Sequence, residues 1–197
     1  MKRFRDIHKG KRIWVCGSGP SLLDVIEKKL TGNDIILACN SAVLHFQKPH
    51  YFIWVDGGVR FTDYYKKTLH SNQKCINLNP VVPSPTMNTT EVFGQSSDWG
   101  YWKINDYAHF PGNIVQRAVS FAYAMGASQI VLAGCDCSYG YPYDPIESEK
   151  QKNQNYHEDL YLWKMMKESN PDLPIINISQ NTPLKEFPIV KFSDLCP

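Results

Sequence analysis

A handful of short stretches carry residue types suited to ligand chemistry: Gly17-Ser18-Gly19-Pro20-Ser21, Asn40-Ser41, Asp56-Gly57-Gly58, Gly134-Cys135-Asp136 and Asn155-Tyr156-His157. In the first, two glycines let the backbone turn sharply and approach a ligand, and Pro20 suits the first position of a helix. The N–H groups left open at such a helix start form an anion site by geometry. The turn is not a Walker loop, because no Gly-Lys-Ser/Thr follows it. It departs from the dinucleotide fingerprint too, with Leu22 at the third glycine position and Asn40, not Asp or Glu, closing the next apolar run. An asparagine side chain both donates and accepts, which suits a base edge or a sugar hydroxyl. The plain alternative is a tight strand-to-helix turn with no ligand.

Asp56 and Asp136 both follow apolar runs. Two carboxylates at one sheet edge could hold Mg²⁺ through oxygen while a diphosphate bridges it; otherwise Asp136 caps a turn and Asp56 opens the Gly57-Gly58 loop. His157 stands in a polar stretch at a helix start, where a near-neutral imidazole can accept a proton from a hydroxyl. A solvated surface histidine is the ordinary alternative, and His109, before Pro111-Gly112-Asn113, is a second candidate base. The cysteines (16, 39, 75, 135, 137, 196) show no zinc spacing or CxxC pair, and 16, 39 and 135 close or follow apolar runs as small hydrophobes.

These residues need a frame. Apolar runs at Ile13–Cys16, Ile35–Cys39, Tyr51–Val55, Lys74–Leu78, Gln129–Ala133 and Ile175–Ile178 read as strands. Helical patterns run over Ser21–Leu30, Phe61–Leu69, Asn113–Met125 (capped by Gly126) and about His157–Glu168. Strands too apolar to face water, alternating with helices, predict an α/β fold: a Rossmann-like, mostly parallel sheet with helices on both faces, in a single domain over residues 1–197. Residues 81–111 form a long aromatic-rich insertion or small hairpin holding Trp99, Tyr101, Trp102 and Tyr107. In such sheets ligands bind beyond the carboxyl ends of the strands, where strand order reverses. That rule picks out Gly17–Ser21, Asn40-Ser41, Asp56–Gly58 and Gly134–Asp136.

GSGPSL, ACNSA and GNIVQRAVSFAYAMGASQIVLAGCDCS, in this order, together with the ending ISQNTPLKEFPIVKFSDL, resemble a superfamily. It contains the Campylobacter-type bacterial sialyltransferases, the motility-associated glycosyltransferase-like proteins of the domain of unknown function 115 group, and their phage-encoded relatives. An archaeal hydroxymethylpterin pyrophosphokinase shares the domain type. The resemblance implies a transferase acting on a nucleotide-activated sugar, with a CMP-linked donor in the sialyltransferases. It implies that Gly17, Ser18 and Gly19, with Pro20 and Ser21 beside them, contact the phosphate or ribose. Asn40, Ser41, Asp56, Gly112, Asn113 and Asp136 would line the nucleotide site, and His157 would be the general base. The sialyltransferases carry Arg-x-Thr-Ser-Gly where this chain has His109-Phe-Pro-Gly-Asn113, and an aromatic and a Tyr after the Asp where it has Cys137 and Ser138. Tyr139, Tyr141 or Tyr143 would then supply the missing hydroxyls, with Tyr139 and Tyr143 as the candidate site residues.

Composition narrows the rest. A net charge of +2 argues against nucleic acid as a partner, and the basic residues near the start (Lys2, Arg3, Arg5, Lys9, Lys11, Arg12) read as a solvated arm or a phosphate contact. No run approaches the roughly 18 apolar residues of a membrane span, and no signal peptide is expected. Cysteine usage fits a reducing cytoplasm. The expected partner is a nucleotide or nucleotide sugar; Mg²⁺ is required only by a pyrophosphokinase reading, and the Trp99–Trp102 patch allows a homo-oligomer. A nucleotide-binding module without catalysis is the third reading.

Overall fold

The computed structural model describes residues 4–26, 30, 34–54, 63, 74–77, 89–92, 112–137 and 156–196. Its frame is a seven-stranded sheet of β1 (Arg12–Cys16), β2 (Ile35–Cys39), β3 (Tyr51–Trp54), β4 (Lys74–Asn77), β5 (Thr89–Val92), β6 (Gln129–Ala133) and β7 (Ile175–Asn177). Every pairing is parallel and the strand order is 5-4-3-2-1-6-7. The chain therefore steps outward from β1 to β5, returns across the sheet and continues from β6 to β7. Strand order reverses between β1 and β6, and that reversal makes the crevice of a doubly wound sheet.

The central strands are apolar because both their faces are covered. Ile13, Trp14, Val15 and Cys16 have no exposure. Alternation along β1 sends Ile13 and Val15 to one face and Trp14 and Cys16 to the other, the period expected of a strand. On the first face they meet α2 (Ile114–Ala124) and α3 (His157–Ser169) through Ala118, Val119, Phe121, Trp163 and Met166. On the second they meet Leu22 and Val25 of the first helical segment and Phe192 of α4 (Phe192–Leu195). The expected Rossmann-like architecture is present, with a core on each side of the sheet.

Element boundaries follow the sequence reading with informative exceptions. The first helix begins as a 3-10 turn at Pro20–Leu22 before α1 (Leu23–Ile26), and a second 3-10 segment, Asn40–His45, follows β2 directly. The 81–111 stretch contributes β5 to the sheet, a strand that its Thr- and Asn-rich composition hides. The tail is held by Asn177, whose N–H donates to Pro188 and whose carbonyl accepts from Val190. The predicted Phe61–Leu69 helix lies outside the described residues except for Asp63.

The basic start is not at the crevice. His8 and Gly10 donate their N–H groups to the carbonyls of Met125 and Gly126, just past the C-terminal end of α2 and so at the opposite edge of the sheet. Arg5, Lys9 and Lys11 are exposed there. Arg12 instead binds Asp34 through Nε at 2.7 Å and the carbonyl of Leu195 through Nη1 at 2.9 Å, clamping α4 to the sheet. That pairing raises the pKa of Arg12, so its guanidinium stays charged.

Candidate functional site

Glycine is required where β1 and β6 end. A Cβ on Gly17 would lie 2.5 Å from the carbonyl oxygen of Gly134, and Gly134 has φ +67° with its own Cβ position against the Gly17 carbonyl. The Gly17 N–H donates to Ala133 and the Gly19 N–H to Gly134, both at 2.8 Å. The two turns are thus laced together backbone to backbone. Side chains at either glycine would force them apart.

Asp136 completes the lacing. It is buried at 6% exposure, and its Oδ2 accepts from the N–H of Ser21 at 3.1 Å and from the Ser21 hydroxyl at 3.0 Å. The same hydroxyl oxygen accepts the Gly134 N–H at 2.8 Å. On the other side Ser179 donates to Oδ1 of Asp136, and Thr182 donates to its main-chain oxygen at 2.7 Å. One carboxylate therefore ties together the turns after β1, β6 and β7.

This arrangement changes the reading of the opening turn. Its N–H groups were expected to face a bound anion; those of Gly17, Gly19 and Ser21 are spent within the protein, and the anion at the helix start is Asp136 itself. Ser18 is half-buried, and its hydroxyl lies 3.0 Å from that of Ser41 across the ends of β1 and β2. Pro20 forms the first residue of the 3-10 turn, as expected. Likewise Asp136, expected to face the ligand, spends both carboxylate oxygens on protein donors.

Asn40, like Cys137 at the same edge, has a left-handed backbone. Its φ is +49°, a conformation that costs a non-glycine residue about 1 kcal/mol or more. Its Oδ1 is buried and has no hydrogen-bond partner among the described residues. A buried acceptor left unpaired costs about 1–3 kcal/mol. A left-handed backbone and an orphan acceptor on one residue make Asn40 a candidate ligand contact.

The helices on the first face bring the remaining candidates to the same edge. Asn113 caps α2, its Oδ1 accepting from the N–H groups of Val115 and Gln116, while Gln116 Oε1 accepts the Asn113 N–H at 2.9 Å. Asn113 Nδ2 donates to Asp159 Oδ1 at 3.0 Å, in the first turn of α3. A Cβ at Gly112 would displace the Gln116 amide, and the Gly112 carbonyl accepts from Arg117 Nε at 3.0 Å. So Gly112 and Asn113, expected at the nucleotide, are engaged in the helix start and the inter-helix joint. His157, the first residue of α3, is exposed and lies two residues before Asp159. Asp56, Tyr139, Tyr143 and His109 lie outside the described residues.

Electrostatics at this edge oppose thiol chemistry. Burial, then the charge of Asp159, pushes the Cys137 thiol up to about 12, so it stays protonated at neutral pH. Burial also raises the Asp159 carboxyl, a shift that the Asn113 hydrogen bond partly opposes. Desolvation lowers the pKa of Arg117. Among the described residues no group of three or more His, Cys, Asp or Glu side chains is placed to hold a metal ion.

Sequence reasoning missed Ser179, Thr182, Asp159 and Gln116. Ser179 and Thr182 follow an apolar strand just as Asp136 does, and the sheet-edge rule applied to β7 would have reached them. Gln116 carried a readable signal, the Asn-x-x-Gln spacing of a capping box. Asp159 carried none.

Comparison with known proteins follows this geometry. The alpha-2,3-sialyltransferase Cst-I of Campylobacter jejuni superposes with a TM-score of 0.58 at 19% identity, covering 91% of this chain and 80% of that one. CstII of Campylobacter jejuni, solved with cytidine-5'-monophosphate, gives 0.57 at 17% identity over 92% and 85%. The MAf glycosyltransferase of Magnetospirillum magneticum AMB-1 gives 0.55 at 13% over 94% of this chain, which spans about a third (34%) of that protein. At these identities the likeness is one of fold. No curated protein sequence matches the chain. The family model described as 6-hydroxymethylpterin diphosphokinase MptE-like matches residues 1–142, more than half the length, and the chain belongs to that MptE-like family.

Proposed function

We propose that the carboxyl ends of β1 and β2 bind the nucleotide of an activated sugar, and that the protein transfers the sugar to a hydroxyl acceptor with His157 as general base. The observation that carries this reading is Asn40: a strained backbone holding a buried, unpartnered amide oxygen beside the Ser18–Ser41 hydroxyl pair. An acceptor in that position fits the amino group of a base or a ribose hydroxyl. The likeness to sialyltransferases, one of them solved with CMP, favours a cytidine nucleotide.

The charge of Asp136 orients the ligand. A phosphate about 5 Å from that carboxylate would be repelled by on the order of 3 kcal/mol at an effective dielectric of 20. The nucleoside therefore occupies the turn with Ser18, and the phosphate lies further out. In the transfer the acceptor oxygen forms its bond to the sugar carbon while the carbon–oxygen bond to the nucleotide phosphate breaks. The acceptor's proton passes to His157 and the nucleotide leaves with the bonding pair.

The family description favours a second reading, a diphosphokinase using ATP and Mg²⁺. That reading needs carboxylate oxygens turned to the metal, and those of Asp136 are turned to Ser21 and Ser179. Thermal shift against CMP, CDP, UDP, GDP and ATP, with and without Mg²⁺, separates the two. Ligand at a hundred times its dissociation constant adds about 2.7 kcal/mol, and a cytidine nucleotide is expected to do this without Mg²⁺. Asn40→Gly should leave the unliganded protein equally or more stable, because glycine adopts positive φ freely. Its nucleotide affinity should fall about tenfold, the worth of one hydrogen bond. Stabilisation by ATP with Mg²⁺ alone would replace the first reading by the second. Nucleotide binding with no turnover, unaltered by His157→Ala, would reduce the protein to a binding module.

A further inference from the structure

α3 presents His157 on its first turn, yet the helix does not cap itself: Tyr156, at its N-cap, makes no side-chain capping hydrogen bond. Among the described residues, two hydrogen bonds from another helix hold this turn. Asn113 Nδ2 donates to Asp159 Oδ1 at 3.0 Å, and Gln116 Nε2 donates to the Asp159 carbonyl at 3.3 Å. These are the same two residues that form the capping box of α2. Gln116 has no exposure, so its amide is committed wholly to this joint. Asp159 in turn faces Cys137, in the turn after β6, closely enough to perturb its thiol. Its carboxylate lies in a part-buried position.

From this we infer that Asp159 is a positioning residue: it fastens the first turn of α3, and with it His157, to the cap of α2 at the carboxyl edge of the sheet. Its value for catalysis rests on the reading of His157 as the base. A base must stand within hydrogen-bond reach of the proton it takes, and a misplacement near 1 Å can cost on the order of a hundredfold in rate. Asp159 touches neither donor nor acceptor in this account. Its loss should therefore slow turnover without weakening nucleotide binding.

The decisive comparison is Asp159→Ala against Asp159→Asn. Asparagine keeps an Oδ1 to accept from Asn113 and sheds a charge that burial disfavours; alanine removes the acceptor. Hydrogen exchange at the amides of residues 160–163 should speed up at least tenfold in Asp159→Ala and return near the wild-type rate in Asp159→Asn. With CMP-sialic acid as probe, release of CMP by Asp159→Ala should fall about ten- to a hundredfold in kcat with KM for the donor unchanged, and Asp159→Asn should recover most of the loss. Unchanged exchange in Asp159→Ala would overturn the anchor. A rise in KM with kcat intact would overturn the positioning role. If the wild-type protein releases no CMP from this donor, the reading of the site falls, while the exchange measurement still decides whether Asp159 anchors α3.

Discussion

Asp136→Ala should destabilise the protein by about 3–5 kcal/mol, the usual cost of breaking a buried charged network by removing one partner. The Ser21 N–H, the Ser21 hydroxyl and the Ser179 hydroxyl all donate to this carboxylate, and alanine strands them together. Each buried donor left unpaired contributes about 1–3 kcal/mol. Asp136→Asn should lose far less, about 1 kcal/mol, because its amide oxygen still accepts from Ser21 and the Ser179 hydroxyl can rotate to accept from the amide nitrogen. Urea unfolding midpoints at constant slope measure both. An Asp136→Ala variant within about 0.5 kcal/mol of wild type would show that the three turns are held by something else.

Gly134→Ala should cost about 2–4 kcal/mol. Two effects add at this residue: a left-handed φ of +67°, which alanine adopts at about 1 kcal/mol, and a Cβ driven against the Gly17 carbonyl. The obstacle is backbone, so no side chain can swing aside to relieve it. Because the displaced atoms belong to the turn after β1, nucleotide affinity should fall together with stability. Gly10→Ala is the internal control: its φ is +75°, but nothing lies within 4 Å of the added carbon, so only the backbone cost of about 1 kcal/mol should appear. Equal losses at the two positions, read from thermal or urea unfolding, would contradict the steric account.

The contrast between these glycines shows what a sequence can reveal. Gly17 and Gly19 announced a tight turn, and the apolar runs around them announced a parallel sheet, because each signal is local and repeats with the period of its element. The edge rule pointed to the carboxyl ends of the strands as the place for a site. The partner of Ser21 could not be found in the same way, since Asp136 lies 115 residues away and any acceptor can satisfy an N–H group. The turn was therefore read as open to a ligand when the protein supplies its own anion. Asn113 teaches the reverse lesson: its capping-box spacing with Gln116 was printed in the sequence, but a helix cap and a ligand contact call for the same residue types. Asn40 was singled out for its side chain alone. The strain that makes it persuasive is a backbone property that only the fold reveals.

The central claim is that the ends of β1 and β2 receive a nucleoside. Titrating CMP into isotope-labelled protein and following the amide resonances tests it most directly. The largest shifts should fall on Ser18, Asn40 and Ser41, and His8, Tyr51 and Ser128 at the opposite edge should stay still. Saturable shifts centred on that opposite edge, or none at Asn40 while CMP demonstrably binds, would contradict it.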